Sequence, residues 1–521
     1  MSSLFHAPAA VSERDIEAED KQLLDLQPGG LLHYDYRSAA SKALKLPSRL
    51  SIVQWNIERG IQFDLIVETL RALQADIIFL QELDINCRRS NYRNVVHDLA
   101  KALEVEVYFV CEFEELDAAD RAPQHAVGPL SKPTRGAKDQ AGTCQQNNGD
   151  RRFHGNAILS ASGHLSNPVV IPHHVCFDWE KRGCKIQEPR HGFRCALRCQ
   201  ICPSERVDPR LPELYLYCCH LEIFCGVLGR VRQLTDILRD ANGLLEEHQA
   251  TRKARPALVI GGDLNTVAHG IVRLAWGIGN DRMRFLSLGE AEACWLQRKV
   301  LSRHLRGFKS LTSPFPLKSI PHMIRTVYSS VCSSDFVFQF LYGFSTEELR
   351  AMDNSRLCFY DPSDKALSVT LDNPKFCGLV KGKLDWLLLS NLRAVPPVLP
   401  SEAVAALEKC ESIGDPTAAH LLRKDVAPDG YVLFNTYYTA SDHKGILLHA
   451  VQDVDSQEDA YPKYGATYTS SWTSVTTFML SRLLLWFLLF AVFLAITVMG
   501  KNRGHARFQF KFTEHLSDRE R

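Results

Sequence analysis

The stretch VIGGDLNTVAHG (259–270) runs an apolar segment into Gly-Gly and then sets an acid and an amide two residues apart, Asp263 and Asn265. A tight turn accounts for Gly261, Gly262 and Asp263, whose residue types tolerate turn geometry, but not for the pair. A carboxylate can orient and deprotonate a water, and an amide N–H can hold a phosphate oxygen as negative charge builds on it. Glu82, Asn56 and an acid of the late Ser-Asp-His cluster, Asp442, make an oxygen-only set that suits Mg2+ or Mn2+. Such an ion neutralises phosphate charge and stabilises a leaving oxygen. His443, paired with Asp385, would be held protonated and aimed at a phosphoryl oxygen, and His220 supplies a further donor. The chemistry open to this set is hydrolysis of a phosphate ester.

The elements that must carry these groups read as strands punctuated by a few helices. RLSIVQWNI (49–57) alternates as a strand, FDLIVETLRALQA (63–75) has helical spacing, and DIIFLQEL (76–83) is a buried strand. VVHDLAKAL (95–103) and GRVRQLTDILRDANGLLEEH (229–248) read as helices. HGNAILSA, GFRCALRCQI, LYLYCCHLEI, ALVIGGDLN, GKLDWLLLSN and SDHKGILLHAV supply further strand-like segments. Asn56, Glu82, Asn156, His220, Asp263, Asn265, Asp385, Asp442 and His443 each lie in, beside or just after one of them. Two packed, mainly antiparallel sheets flanked by helices, a four-layered α/β sandwich, would let such strand ends converge. Residues 1–47 are expected as a loose arm, and insertions are expected near 114–152 and 275–360.

Composition sets the bounds. With 45% hydrophobic and 23% charged residues the bulk is globular, and 61 Lys and Arg against 60 Asp and Glu leave no overall electrostatic footprint for nucleic acid. Sixteen cysteines are too sparse for a disulfide framework. The polar N-terminus has no apolar signal run. FMLSRLLLWFLLFAVFLAITVMG (478–500) is uncharged for eighteen residues from Leu483, about the lower limit for a spanning helix, and reads as a tail anchor with the main domain in the cytosol. Residues 453–477 are the tether and 501–521 a basic tail. No obligate protein partner is implied.

QWNIE (54–58), LQELD (80–84), HGNAILS (154–160), CHLE (219–222), GGDLNT (261–266), KLDWLLLS (383–390) and SDHKGI (441–446) together resemble the endonuclease/exonuclease/phosphatase superfamily, and in its motif order across residues 48–452. The resemblance implies that Glu82 is the principal metal ligand with Asn56 beside it and Asp442 next to the metal, while Glu58 assists. It makes Asp263 the group that positions the attacking water and assigns phosphate binding to Asn265 and His220. Asp385 then pairs with His443, and Asn156 marks strand entry near the phosphate. One departure is Ala161 after Ser160, where the family ends this strand in a small residue and Arg.

Taken singly, each of these residues is more often a turn former or a satisfied core group; the ordered set is what favours function. CALRCQIC (195–202) has iron–sulfur spacing, but a strand would point its cysteines to both faces. GVLGRVRQ (226–233) lacks the Lys-Ser/Thr end of a phosphate loop and reads as a helix start. GKLDWLLLS is nearest the nuclease form of its motif, whereas neutral charge and an anchor point to a phospholipid head group such as that of sphingomyelin. The substrate therefore stands as a phosphodiester of either kind, with an inositol phosphate or phosphoinositide phosphatase, or a non-catalytic membrane scaffold, as alternatives.

Overall fold

The computed structural model describes residues 23–116, 151–182, 189–267, 292–301, 335–362, 369–372, 381–397, 431–436 and 438–452. In chain order the strands are β1 (Leu31–Asp35), β2 (Arg49–Arg59), β3 (Ile77–Ile85), β4 (Glu106–Glu115), β5 (Phe153–Ser160), β6 (Ser166–Pro172), β7 (Arg190–Gly192) and β8 (Cys195–Ile201). They continue as β9 (Leu214–His220), β10 (Ala257–Asp263), β11 (Leu371–Asp372), β12 (Lys381–Gly382), β13 (Asp385–Ser390), β14 (Arg393–Val395), β15 (Tyr431–Phe434) and β16 (Gly445–Val451). Among the described residues one sheet runs β1-β4-β5-β3-β2-β16-β14, with β15 on β16 and β7 on β4; the second runs β13-β10-β9-β8-β6. Each is mixed: β2–β3 and β9–β10 are parallel and the other pairs antiparallel.

Three apolar clusters separate the layers. Helices α1 (Phe63–Leu73) and α2 (Val95–Leu103) cover the first sheet, Ile66, Leu70, Val95 and Leu99 packing on Val53, Trp55, Ile78 and Leu80. Helix α3 (Gly226–Ala250) covers the second, with Val231, Leu234 and Leu238 on Tyr217, Leu258 and Leu388. Between the sheets lie Leu50, Ile52, Phe79 and Ile158 against Leu197, Leu216, Val259 and Leu387. The order is therefore helices, sheet, sheet, helices. Because strand side chains alternate, this sorts each strand by parity: in β10, Val259 faces the other sheet and Leu258 and Ile260 face α3.

Several expectations need correction. Residues 31–35, assigned to a loose arm, form β1 on the edge of the first sheet, because LLHYD turns Leu32 and Tyr34 inward, where both are buried. The insertion read from residue 114 begins too early: Glu114 and Glu115 are still in β4, opposite Phe153 and Arg190. Within the 275–360 stretch, Trp295, Phe338, Phe344 and Met352 pack into the α3 layer. Gly261 and Gly262 are not in a turn. They lie in β10, where a Cβ on Gly261 would sit 2.5 Å from the Phe79 ring and one on Gly262 would sit 2.4 Å from the Cys219 carbonyl oxygen. A backbone atom cannot swing aside, so Gly262→Ala is expected to lower stability in denaturant unfolding by roughly 1–3 kcal/mol. Gly243→Ala on α3, with open space around it, should instead gain up to about 1 kcal/mol.

The cysteines of CALRCQIC behave as core residues. Cys195 and Cys199 are buried between the sheets and burial pushes both thiols well above their usual range. Gly226 opens α3, as expected of a helix start. Segment 478–500 lies outside the described residues; among those described, no helix is long and apolar enough to cross a membrane.

Candidate active site

The parity rule places the chemistry. Gln54 and Asn56 share the inward face of β2 with Leu50 and Ile52; Asn156 shares that of β5 with Ile158. On the opposite sheet, His220 continues the inward row of Leu214, Leu216 and Cys218, Asp263 that of Ala257 and Val259, and Asp385 that of Leu387 and Leu389. Register aligns these three across neighbouring strands, Asp263 opposite His220 on one side and Asp385 on the other. Asn56, His220 and Asp263 thus follow, and Asn156 and Asp385 precede, the inward positions of their strands that build the core between the sheets.

Glu82 breaks the rule, and the break is informative. Its parity with Ile78 and Leu80 would aim it at the helices. Instead the pairing of β3 shifts register between Leu80 and Leu83, and Glu82 takes φ +60°. A matching irregularity follows Asn56 in β2, where Glu58 and Arg59 also have positive φ. Such bulges re-aim side chains, and positive φ in residues other than glycine stores strain. Here they turn Glu82 to the Asn56 side, so that Asn56 Nδ2 donates to Glu82 Oε1 at 3.2 Å and to Asp263 Oδ2 at 3.1 Å. The backbone N–H of Glu58 donates to Asn56 Oδ1, fixing the amide's orientation.

Asp263 is the hub. Its Oδ1 accepts from the Asn265 backbone N–H at 2.8 Å, and its Oδ2 lies 3.5 Å from His220 Nε2 and 3.8 Å from His443 Nε2. Burial pushes its carboxyl up to about 6, against the pull of His443, which suits a group that must take a proton near neutrality. Asn265 sits at φ +50°, a conformation asparagine tolerates, with one side-chain N–H given to the Leu221 carbonyl. The other N–H is its available donor.

His443 Nδ1 meets Asp385 Oδ2 at 2.8 Å, and Gln54 Nε2 donates to Asp385 Oδ1 at 2.8 Å. Burial alone would strip the ring of its proton, but Asp385, Asp442 and Asp263 together hold it protonated well above the usual imidazole range. The Ser441 hydroxyl donates to the Asn56 carbonyl and ties this loop to β2. Burial, with Glu58 and Glu82 adding like charge, pushes Asp442 up to about 7. Glu82 is held as a carboxylate, the charges of Arg59 and His443 countering its burial.

The structure thus brings together Asn56, Glu82, His220, Asp263, Asn265, Asp385, Asp442 and His443, with Glu58 buried beside them. Asn156 stands near Glu112; among the described residues no hydrogen bond joins it to Asp263, Asn265 or His220. Gln54, Arg59, Arg194 and Ser441 were missed. Gln54 and Ser441 lie inside the quoted motifs QWNIE and SDHKGI, but a glutamine in a strand and a serine in a loop carry no chemical signal of their own.

The sequence profile of the endonuclease/exonuclease/phosphatase family matches residues 53–443. The chain belongs to that family. Members are generally hydrolases of phosphoester bonds, and this chain has their phosphoesterase fold. No curated protein matches the sequence. Solved family structures similar to it include the human Nocturnin catalytic domain with bound sulfate, at 15% identity over 82% of this chain and 99% of that one, with a TM-score of 0.32. ANGEL2, a 2',3'-cyclic phosphatase, shows 12% identity over 82% and 98%, with a TM-score of 0.35. A family protein from Beutenbergia cavernae DSM 12333 shows 12% identity over 78% and 72%, with a TM-score of 0.31.

Family members are typically dependent on a divalent metal, and two clusters of donors compete for one here. Asp263, Asp385 and His443 each offer an atom within 4.8 Å of the others. Both Asp385 oxygens already accept hydrogen bonds, however, and a protonated imidazole has no lone pair to give. Glu82, Glu58 and Asp442 lie near enough for their charges to act on one another, with Glu82 and Asp442 partly solvent-exposed and Glu58 buried, and such oxygen donors suit a hard cation.

A second buried charge cluster steadies the first sheet under the site. Arg89 donates to Asp84 at 2.6 Å and to Glu115 at 2.8 Å, Arg190 lies 2.9 Å from Glu115, and His154 pairs with Asp84 at 2.8 Å. Burial alone would raise the Glu115 carboxyl; Arg190 and Arg89 hold it down at about 2, below its ordinary 4.5. The folded-state value is depressed, so the associated stability is present above pH 4.5 and is lost as pH falls towards 2. In denaturant titrations stepped through that window, the native chain should lose about 3 kcal/mol from this group, and Glu115→Gln should flatten that part of the acid limb.

Proposed function

We propose that the chain is a Mg2+-dependent phosphodiester hydrolase in which Asp263 takes a proton from the attacking water. The observation that supports this reading is the convergence of Asn56, His220, Asn265 and His443 on the two oxygens of one buried carboxylate. Asn265 fixes Asp263 Oδ1 through its backbone, and Asn56 and the two imidazoles gather round Oδ2, the oxygen assigned to the water. Asn265 and His220 offer N–H groups to the non-bridging oxygens, and protonated His443, oriented by Asp385, offers its Nε2–H to the phosphoryl group as charge develops. Glu82, with Asn56, Asp442 and Glu58 around it, would hold the cation, which supplies charge neutralisation at the leaving oxygen. Asp263 is read as the base rather than as a covalent nucleophile, with attack in line and by water.

Segment 478–500 supports a membrane location, and with it a phospholipid head group; the nuclease-like KLDWLLLS supports nucleic acid. The test is turnover by the full chain of abasic DNA, single-stranded RNA, sphingomyelin and phosphoinositides, each with Mg2+ and with chelator. Mg2+-dependent cleavage of a diester is expected. Turnover that survives chelation, or release of phosphate from monoesters alone, overturns the reading.

A further inference from the structure

We infer that Arg194, held by Glu112, is a positioning residue that fixes the tautomer of His220, keeping Nδ1 bare and aiming the Nε2–H at Asp263 and the phosphate. The inference rests on the site described above and adds two residues that lie in none of its motifs. Glu112 is fully buried on the inward face of β4, and its Oε2 accepts from Arg194 Nη1 at 2.5 Å. The same Nη1 lies 3.0 Å from His220 Nδ1. A guanidinium only donates and does not lose its charge in a protein. His220 Nδ1 must therefore accept, which places the proton of the neutral ring on Nε2, the atom 3.5 Å from Asp263 Oδ2. The other tautomer, or an imidazolium, would set N–H against N–H in a buried contact.

Arg194 is itself confined. Its guanidinium lies 5.1 Å from the centre of the Phe113 ring, and its Nε is 4.0 Å from Glu222 Oε2. Burial and the adjoining Arg194 charge also push the His220 pKa well below its usual value. The two imidazoles that flank Asp263 are thus set in opposite states by opposite partners: a carboxylate keeps His443 charged, and a guanidinium keeps His220 neutral. Splitting like groups by environment is how one pocket acquires two distinct donors. His220 can then donate to a phosphate oxygen without needing an external proton.

The test combines nitrogen NMR with kinetics on the full chain. Histidine labelled with 15N is read with and without His220→Gln, whose difference spectrum isolates one ring among nineteen. The expected native signature is an unprotonated Nδ1 and a protonated Nε2. Arg194→Met combined with Glu112→Leu removes the paired charges together, and Glu222, 4.0 Å from the guanidinium, keeps the Trp179 Nε1–H and the Phe224 backbone N–H as donors, which protects folding. In that variant the Nδ1–H form should appear, kcat should fall about 10- to 100-fold, and KM should change little. Added to His220→Gln, the same pair should cost nothing more, since the effect runs through the imidazole. A native His220 protonated at Nδ1, an unchanged ring signature in the variant, or additive losses would overturn the inference. Absence of any turnover would count against the hydrolase reading alone, because the ring signature needs no substrate.

Discussion

Asp263→Asn should cut turnover by about 10^3-fold or more while leaving the fold in place. The substitution keeps the shape of the side chain and an oxygen for the Asn265 backbone N–H, so the turn after β10 is retained. What it removes is the acceptor for the water's proton and the negative charge between two imidazoles. Turnover of bis(4-nitrophenyl) phosphate, a plain diester, measures the loss, and thermal unfolding checks the fold. Activity within a few-fold of the native chain would remove Asp263 from the mechanism.

Glu82→Gln should have an effect of similar size by a different route. Its carboxylate already meets Asn56 and lies 3.9 Å from Arg59, so an amide there keeps the packing but loses a ligand charge. A bound ligand raises stability by mass action, about 2.7 kcal/mol at a hundred times its Kd, so Mg2+ should raise the native unfolding temperature. Glu82→Gln should abolish that rise together with turnover. Asp385→Asn should keep the rise and lose turnover, because Asp385 serves the His443 proton rather than the cation. The reverse pattern would move the cation to the Asp263, Asp385 and His443 cluster.

These residues were legible in the sequence because strand patterning carries more than secondary structure. An inward-facing row with a polar residue at one end identifies a rim: His220 and Asp263 close such rows and Asp385 opens one. The order of the motifs supplied the rest, including the Asp385–His443 pair. Three kinds of information were not legible. The aim of Glu82 depends on a register shift that no local pattern encodes. Gly261 and Gly262 read as a turn, since close approach of Phe79 and Cys219 involves chain far away in sequence. Arg194 and Glu112 were invisible because a guanidinium is assigned its role by the imidazole it meets, and that meeting exists only once β4, β8 and β9 are packed. The β1 edge strand was missed for a plainer reason: five residues, LLHYD, are too short a pattern to stand out from a polar arm.

The central claim is that Glu82, with Asn56, Glu58 and Asp442 around it on the first sheet, holds one divalent cation apart from the Asp385–His443 pair. Anomalous X-ray diffraction from crystals of the chain grown with Mn2+ addresses it directly. The expected map shows one manganese peak bonded to Glu82 and lost in Glu82→Gln, with Asp385 and His443 still joined to each other. A peak bridging Asp385 and His443, or no peak in the hollow, would contradict the account.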